Sequence, residues 1–386
     1  LIFCAIKWKE LLVDPRLNGI DFISFYTAGR IARSGDYAHL YDLQTQREIQ
    51  SKLIPPDTFV GGVSFFNHPP YLAPLLSIIT SDDYIKSYMV WTAIIACMLF
   101  LCFLIIYHFL LSEGWDRISA ILCGANSVLF YPLLLSFLKG QDTAFILCGL
   151  LLWMFGLLKG KEFVSGLGLA LATLSPPIAG ALALPLICSR RKAGGWFCLA
   201  FIVLATISLG LVGYKGMLDF LHLLFLSSQG QGFSLNPTKM FNFLGLLLRG
   251  LPTFNVDIVY KLAWSATILS LIATCWLCWG KRTLLQTEYI SLVVVMATFT
   301  SPHLHSHSLG YLLLPLIGLS NLLWKQTNNR ARIAAVLLIP ITSLLMEASN
   351  LAGDAGLYAY TYLLMASLFG WFVYLIIKTS KTPLPE

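Results

Sequence analysis

The sequence predicts an all-α polytopic membrane protein. It reads as a bundle of about eleven membrane segments with a helical first extracytoplasmic loop. Three observations carry this. Of the 386 residues, 57% are hydrophobic and only 12% charged, so a soluble fold would have far too little polar surface to cover it. Apolar runs of membrane-spanning length recur along the chain. Short alternating segments, the mark of an outer-membrane barrel, are missing.

The elements follow in order. Leu1–Ile6 reads as the tail of a span that starts before Leu1. Residues 7–68 form a polar loop with short helices, one of them at 22–33. Residues 69–80 suit a short half-embedded piece. Membrane segments then fall at 84–111, 118–137, 143–158, 163–175, 177–188, 195–213, 257–280, 284–300, 308–324, 331–346 and 356–377. Together, 1–386 reads as one membrane-embedded domain: loop 7–68, bundle 69–377 and cytoplasmic tail 378–386. The segments on either side of Ser175-Pro176-Pro177 are too short to cross ~30 Å alone, which suggests a broken hairpin buried in protein.

Basic residues set the orientation. Arg117, Lys159 with Lys161, Arg190-Arg191-Lys192, Lys281-Arg282, Lys325 with Arg330 and Arg332, and Lys378 with Lys381 fall in alternate loops, which are therefore cytoplasmic. Loops 7–68, 138–142, 175–177, 214–256, 301–307 and 347–355 then face the other side, so the chain reads as an integral plasma (inner) membrane protein with its chemistry outside. The net charge of +7 is explained by these loops and does not imply nucleic acid. Nine cysteines in or beside apolar runs suggest no disulfide framework. Cys275-Trp-Leu-Cys278 has redox spacing, but it lies inside a span and reads as packing.

Candidate chemistry gathers on the outer face. Asp21, after Asn18-Gly19, is either the N-cap of helix 22–33 or a general base in a dry cavity. Ser301-Pro302-His303-Leu304-His305-Ser306-His307 reads as a helix start: Ser as N-cap, Pro in the first turn, His303 and His307 on one face. Such an N-terminus favours phosphate, with a metal site and plain packing as the alternatives. Lys139-Gly140-Gln141-Asp142 marks another helix start. Asp142 reads as an N-cap, with Lys139 and Gln141 in reach of a sugar or phosphate. Asn236-Pro237-Thr238 opens an amphipathic helix at 239–249.

In this order, these pieces resemble glycosyltransferase family 87, polytopic mannosyltransferases of the GT-C architecture. The matching residues are Asp21 through Tyr26-Thr27-Ala28, Gly35 with Leu40-Tyr41-Asp42, Phe66 with Pro69-Pro70, Gly140-Gln141, Met240-Phe241-Asn242 through Gly245, and Ser301-Pro302 through His307. The resemblance covers about 21–315. The family often has Lys-Pro where this chain has Ser175-Pro176, and Lys139 is the replacement cation on offer. The resemblance implies a GT-C bundle, an inverting transfer of mannose from a polyprenyl-phosphate donor to a glycolipid or glycan acceptor, and no cofactor or metal. Asp21 would be the base. His303, His305, His307, Lys139, Gln141, Tyr26, His68 and Asn242 would hold the donor. The rival reading is a transporter or lipid flippase. It requires ionisable residues inside spans, whereas His108, His222 and Glu347 lie near span ends or in loops.

Overall fold

The computed structural model describes residues 9, 21–53, 63–229, 237–279 and 286–380, and among these every regular element is a helix. The expectations for Leu1–Ile6, Asn18-Gly19, Asn236, Lys281-Arg282 and the tail beyond 380 lie outside the described residues.

The first region holds α1 (Phe22–Arg33), α2 (Leu43–Gln50) and α3 (Ala73–Ile79). Asp42 caps α2 by accepting the Thr45 N–H at 2.7 Å. Gln46 and Gln50, both buried, hold the chain that follows α2. Gln46 Oε1 accepts the Phe66 N–H at 2.9 Å, and Gln50 exchanges two bonds of 2.8 Å with the Ser64 backbone. Buried main chain with no ladder partner is thereby satisfied by side-chain amides.

The bundle comprises α4 (Tyr84–Ser112), α5 (Arg117–Val128), α6 (Tyr131–Lys139), α7 (Thr143–Leu158), α8 (Glu162–Leu171), α9 (Pro176–Ser189), α10 (Arg191–Gln229), α11 (Phe243–Gly250), α12 (Val256–Cys278), α13 (Thr287–Thr300), α14 (Leu313–Trp324), α15 (Asn329–Leu351) and α16 (Asp354–Ser380). Among the described residues, six helical segments are long and apolar enough to cross a membrane, or seven if the α5–α6 pair, bent by 47°, is one span. The expected count of about eleven is therefore not reached by length. The remaining segments are helices, but short ones. α7 shows why that is tolerated: nearly its whole surface is buried against α4, α8 and the 3-10 turn His307–Leu312, so protein rather than lipid surrounds it.

α10 departs from the expected end at 213 and runs on to Gln229 through a kink at Gly213, whose φ of 70° suits only glycine without strain. Beyond the kink it packs on the 3-10 turns Tyr37–His39 and Pro70–Leu72. The expected helix at 239–249 starts later, at Phe243. Asn242 is its N-cap, accepting the Gly245 N–H at 2.9 Å.

Loops assigned to opposite faces by their charges gather at opposite ends. At one end, Glu113 pairs with Lys159 and Lys325, Glu162 pairs with Arg190, and Trp115 stacks on Trp324 at 4.2 Å. At the other, α1, the 139–142 turn and the histidine segment meet.

Candidate functional site: an amphiphilic cavity

A cavity of about 1260 Å³ opens among α1, the α6–α7 turn, the 301–308 segment and helices α9, α10 and α12. Asp21, His68, Lys139, Gln141, His303, His305 and His307 all line it.

Asp21 occupies the N-cap position of α1, but its backbone is already helical and its carboxylate makes no capping bond. Ser24 Oγ donates to the Asp21 carbonyl oxygen at 3.0 Å instead. The carboxylate stays on the cavity wall, 3.7 Å from Lys139 Nζ. Lys139 is the last residue of α6, and Gly140 then turns the chain at φ 68°. A Cβ on Gly140 would lie 2.8 Å from Phe22 Cβ and 3.2 Å from Tyr88 Cε2. Trp91, fully buried, donates its indole N–H to the Gly140 carbonyl at 2.7 Å and stacks on Phe145. The turn that presents Lys139 and Gln141 is thus fixed by conformation, space and a hydrogen bond at once.

Asp142 corrects its sequence reading. It sits at the start of α7 yet caps nothing. Its carboxylate is almost sealed, with Oδ2 3.2 Å from His68 Nδ1. His68 is held from behind: Tyr41 donates its hydroxyl to the His68 carbonyl at 2.6 Å, and the ring packs at a tilt against Phe25, centroids 4.6 Å apart.

The histidine segment is a second correction. Its three rings were expected in the first turns of a helix, but helix resumes only at His307, as a 3-10 turn. Ser301 is extended, as a residue before proline tends to be, and its hydroxyl donates to the His303 carbonyl at 3.0 Å rather than capping a helix. His303 and His307 therefore do not share a helix face. The alternate positions 303, 305 and 307 nevertheless form a cluster, with ring centroids 4.6 Å and then 6.0 Å apart. Burial pushes the His303 imidazole down to about 4, with the neighbouring His68 adding to the shift. Burial, then His303, His307 and Lys139, hold His305 well below the ordinary histidine range. Both rings are neutral at pH 7. Among the described residues, no three His, Cys, Asp or Glu side chains converge as a metal site would require.

Tyr26 and Asn242 do not reach this cavity. The Tyr26 hydroxyl donates to the Ser81 carbonyl at 3.0 Å, tying α1 to the start of α4. Asn242 is fully buried and donates Nδ2–H to the Ser301 carbonyl at 2.8 Å, while the Phe241 N–H reaches Leu304 O at 2.8 Å. Both brace the backbone of the 301–304 stretch. The sequence reading missed Asn67 and Ser227. Asn67 donates to Ser227 Oγ at 3.3 Å, and that oxygen lies 3.5 Å from His303 Nδ1. Asn67 lies within the Phe66-to-Pro70 motif, whereas Ser227 sits in none; their contact across 160 positions becomes visible only once α10 is seen to bend at Gly213.

The rest of the wall is apolar. Leu184 and Ile187 of α9, Phe197, Phe201 and Leu204 of α10, and Trp264 and Leu271 of α12 line it. On α12, Trp264, Thr267, Leu271 and Thr274 share one face along about 15 Å of helix. One end of the cavity thus carries charge and imidazole, and the other can accept hydrocarbon.

The cavity thus combines a polar lining with an apolar one inside a bundle that has several helices of membrane-spanning length. A model of glycosyltransferase family 87 matches residues 65–302, more than half of the chain, and the chain belongs to that family. It is a membrane glycosyltransferase, with a sugar donor and an acceptor as its substrates. The matched span holds His68, Lys139, Gln141 and Asp142, whereas Asp21 and His303–His307 fall outside it. No curated protein matches the chain.

Proposed function

We propose that the protein is an inverting GT-C-type mannosyltransferase of the plasma (inner) membrane. It takes mannose from a polyprenyl-phosphate donor and passes it to a glycolipid or glycan acceptor on the extracytoplasmic side. The observation that carries this reading is the Asp21 carboxylate, uncapped at a helix start and facing the polar end of an amphiphilic cavity. The mannose donor comes from the resemblance; the lipid carrier is also supported by the apolar wall. The outward orientation is supported by the basic loops, which collect at the end away from the cavity's polar groups.

In this scheme the acceptor hydroxyl gives its proton to Asp21. Its oxygen attacks the sugar C1 from the side opposite the phosphate. The bond from C1 to the phosphate oxygen breaks, its electrons leave with the phosphate, and the anomeric centre inverts. Lys139 balances the growing charge, and N–H groups of the neutral histidines donate to the phosphate oxygens. A positioned base of this kind contributes about 10²–10⁴-fold.

The test is transfer of labelled mannose from a short-chain polyprenyl-phosphate mannose to a membrane glycolipid extract. The wild-type protein should transfer it. Asp21→Asn should fold and insert normally yet lose transfer; turnover at the wild-type rate would reject the base assignment. Transfer should also persist in excess chelator, and its loss there would reassign the three histidines to a metal.

A further inference from the structure

The polar end of the cavity has an unfavourable charge balance for its proposed ligand. Asp21 and Asp142 line it with Lys139 as their nearby counter-charge, while His303 and His305 are neutral. Lys239 and Asp354 also line the cavity and add one charge of each sign, so a donor phosphodiester leaves three carboxylates and a phosphate facing two lysines. Something must offset one of them.

His68 is placed to do this. Its Nδ1 and Asp142 Oδ2, 3.2 Å apart, are both sealed from the cavity, and their alignment falls short of a hydrogen bond. That is an ion-pair distance with room to tighten, as site contacts commonly do only when ligand arrives. With Nδ1 turned to Asp142, Nε2 is the nitrogen left for the cavity. The groups around the pair are Asp21, Lys139, Tyr71, His303, His307 and Tyr311. Lys139 is the only permanent cation among them, and it already faces Asp21.

We infer that His68 and Asp142 form a charge-cancelling pair that admits the donor phosphate, the doubly protonated ring offsetting Asp142 through Nδ1–H and offering Nε2–H to a phosphate oxygen. This rests on the reading that the donor phosphate occupies the polar end. The pair acts on binding; no bond to carbon is made or broken by it.

The experiment measures the dissociation constant of short-chain polyprenyl-phosphate mannose on the detergent-purified full chain. His68→Gln leaves Asp142 unopposed and should weaken binding by about tenfold or more. Adding Asp142→Asn removes the charge itself and should restore binding to within about threefold of wild type. A purely structural role gives the opposite, because two packing defects compound. Asp142→Asn alone should bind no more weakly than wild type, which keeps the test open if His68→Gln misfolds. Unchanged binding by His68→Gln, a double variant worse than that single one, or weakened binding by Asp142→Asn would each overturn the pair. Lys139→Met separates this from failure of the parent reading. If it weakens binding while His68→Gln does not, the pair alone is wrong. If neither matters, the phosphate does not sit at the polar end and both readings fall.

Discussion

Two carboxylates lie at opposite ends of the bundle, and each faces lysine. Glu113, just past α4, is saturated: Lys159 and Lys325 both pair with it, Lys325 at 2.6 Å, and Asn321 donates at 3.1 Å. Burial alone would raise its carboxyl, but these bonds overcome burial and hold it down to about 2. Asp21 has one cation at 3.7 Å and no capping bond. Both are carboxylates facing lysine, yet one site is closed and the other has unused capacity. A carboxylate with both oxygens engaged by cations and an amide is part of the scaffold. One left facing a cavity is available to a substrate.

The sharpest way to break this comparison is to neutralise each carboxylate. Asp21→Asn should cut turnover by about 10²–10⁴-fold with little change in melting temperature. Glu113→Gln should leave turnover near wild type. Reversed outcomes, with Glu113→Gln inactive and Asp21→Asn active, would show that partner count does not separate scaffold from site here.

A smaller loss is expected from the turn that holds Lys139 opposite Asp21. Gly140→Ala combines a left-handed backbone with a Cβ 2.8 Å from Phe22 Cβ, so α1 and the turn must move apart. Misplacement on the order of 1 Å costs about 10²-fold in turnover, and the strained backbone about 1–3 kcal/mol. Steady-state rates and thermal unfolding of the purified variant check both. Wild-type turnover by Gly140→Ala would mean that the Asp21–Lys139 geometry is not what the site depends on.

At the saturated end the expected effect is on stability. Glu113→Gln removes the charge that two lysines share. Because Lys325 is half exposed, solvent screens part of the loss, and about 1–2 kcal/mol is expected. A lower melting temperature at unchanged turnover is the predicted pattern, and an unshifted melting temperature would contradict the reading of Glu113 as a clamp.

Most of the helices were legible in the sequence, because hydrocarbon runs leave the backbone little alternative to helix. What the sequence obscured was local. Ser301-Pro302 resembles a helix start, yet proline also extends the residue before it, and that preference prevailed. Asp142 resembles a cap, but His68, 74 positions earlier, takes its carboxylate. Asp21 and the histidines were legible as candidates by type. Their convergence was not, since it depends on the Gly140 turn and on the Gly213 bend that swings the end of α10 over His303.

The mildest probe of the comparison is acid. His303 is held near 4, below its ordinary value of 6.5, so the unfolded chain binds a proton between those values that the folded chain refuses. Its contribution to stability is complete above pH 6.5 and is lost as pH falls toward 4. His305 is shifted in the same direction and deepens the loss. Glu113 is depressed from 4.5 to about 2, so its contribution survives to lower pH and disappears only below about 4.5. Acid should therefore weaken the cavity end first and the clamped end second. Melting temperature followed from pH 7 to pH 3 should fall in two stages. His303→Gln should flatten the upper stage, and Glu113→Gln the lower. If His303→Gln instead flattens the lower stage, the imidazole is not buried in neutral form, and the cavity is wetter than its packing implies.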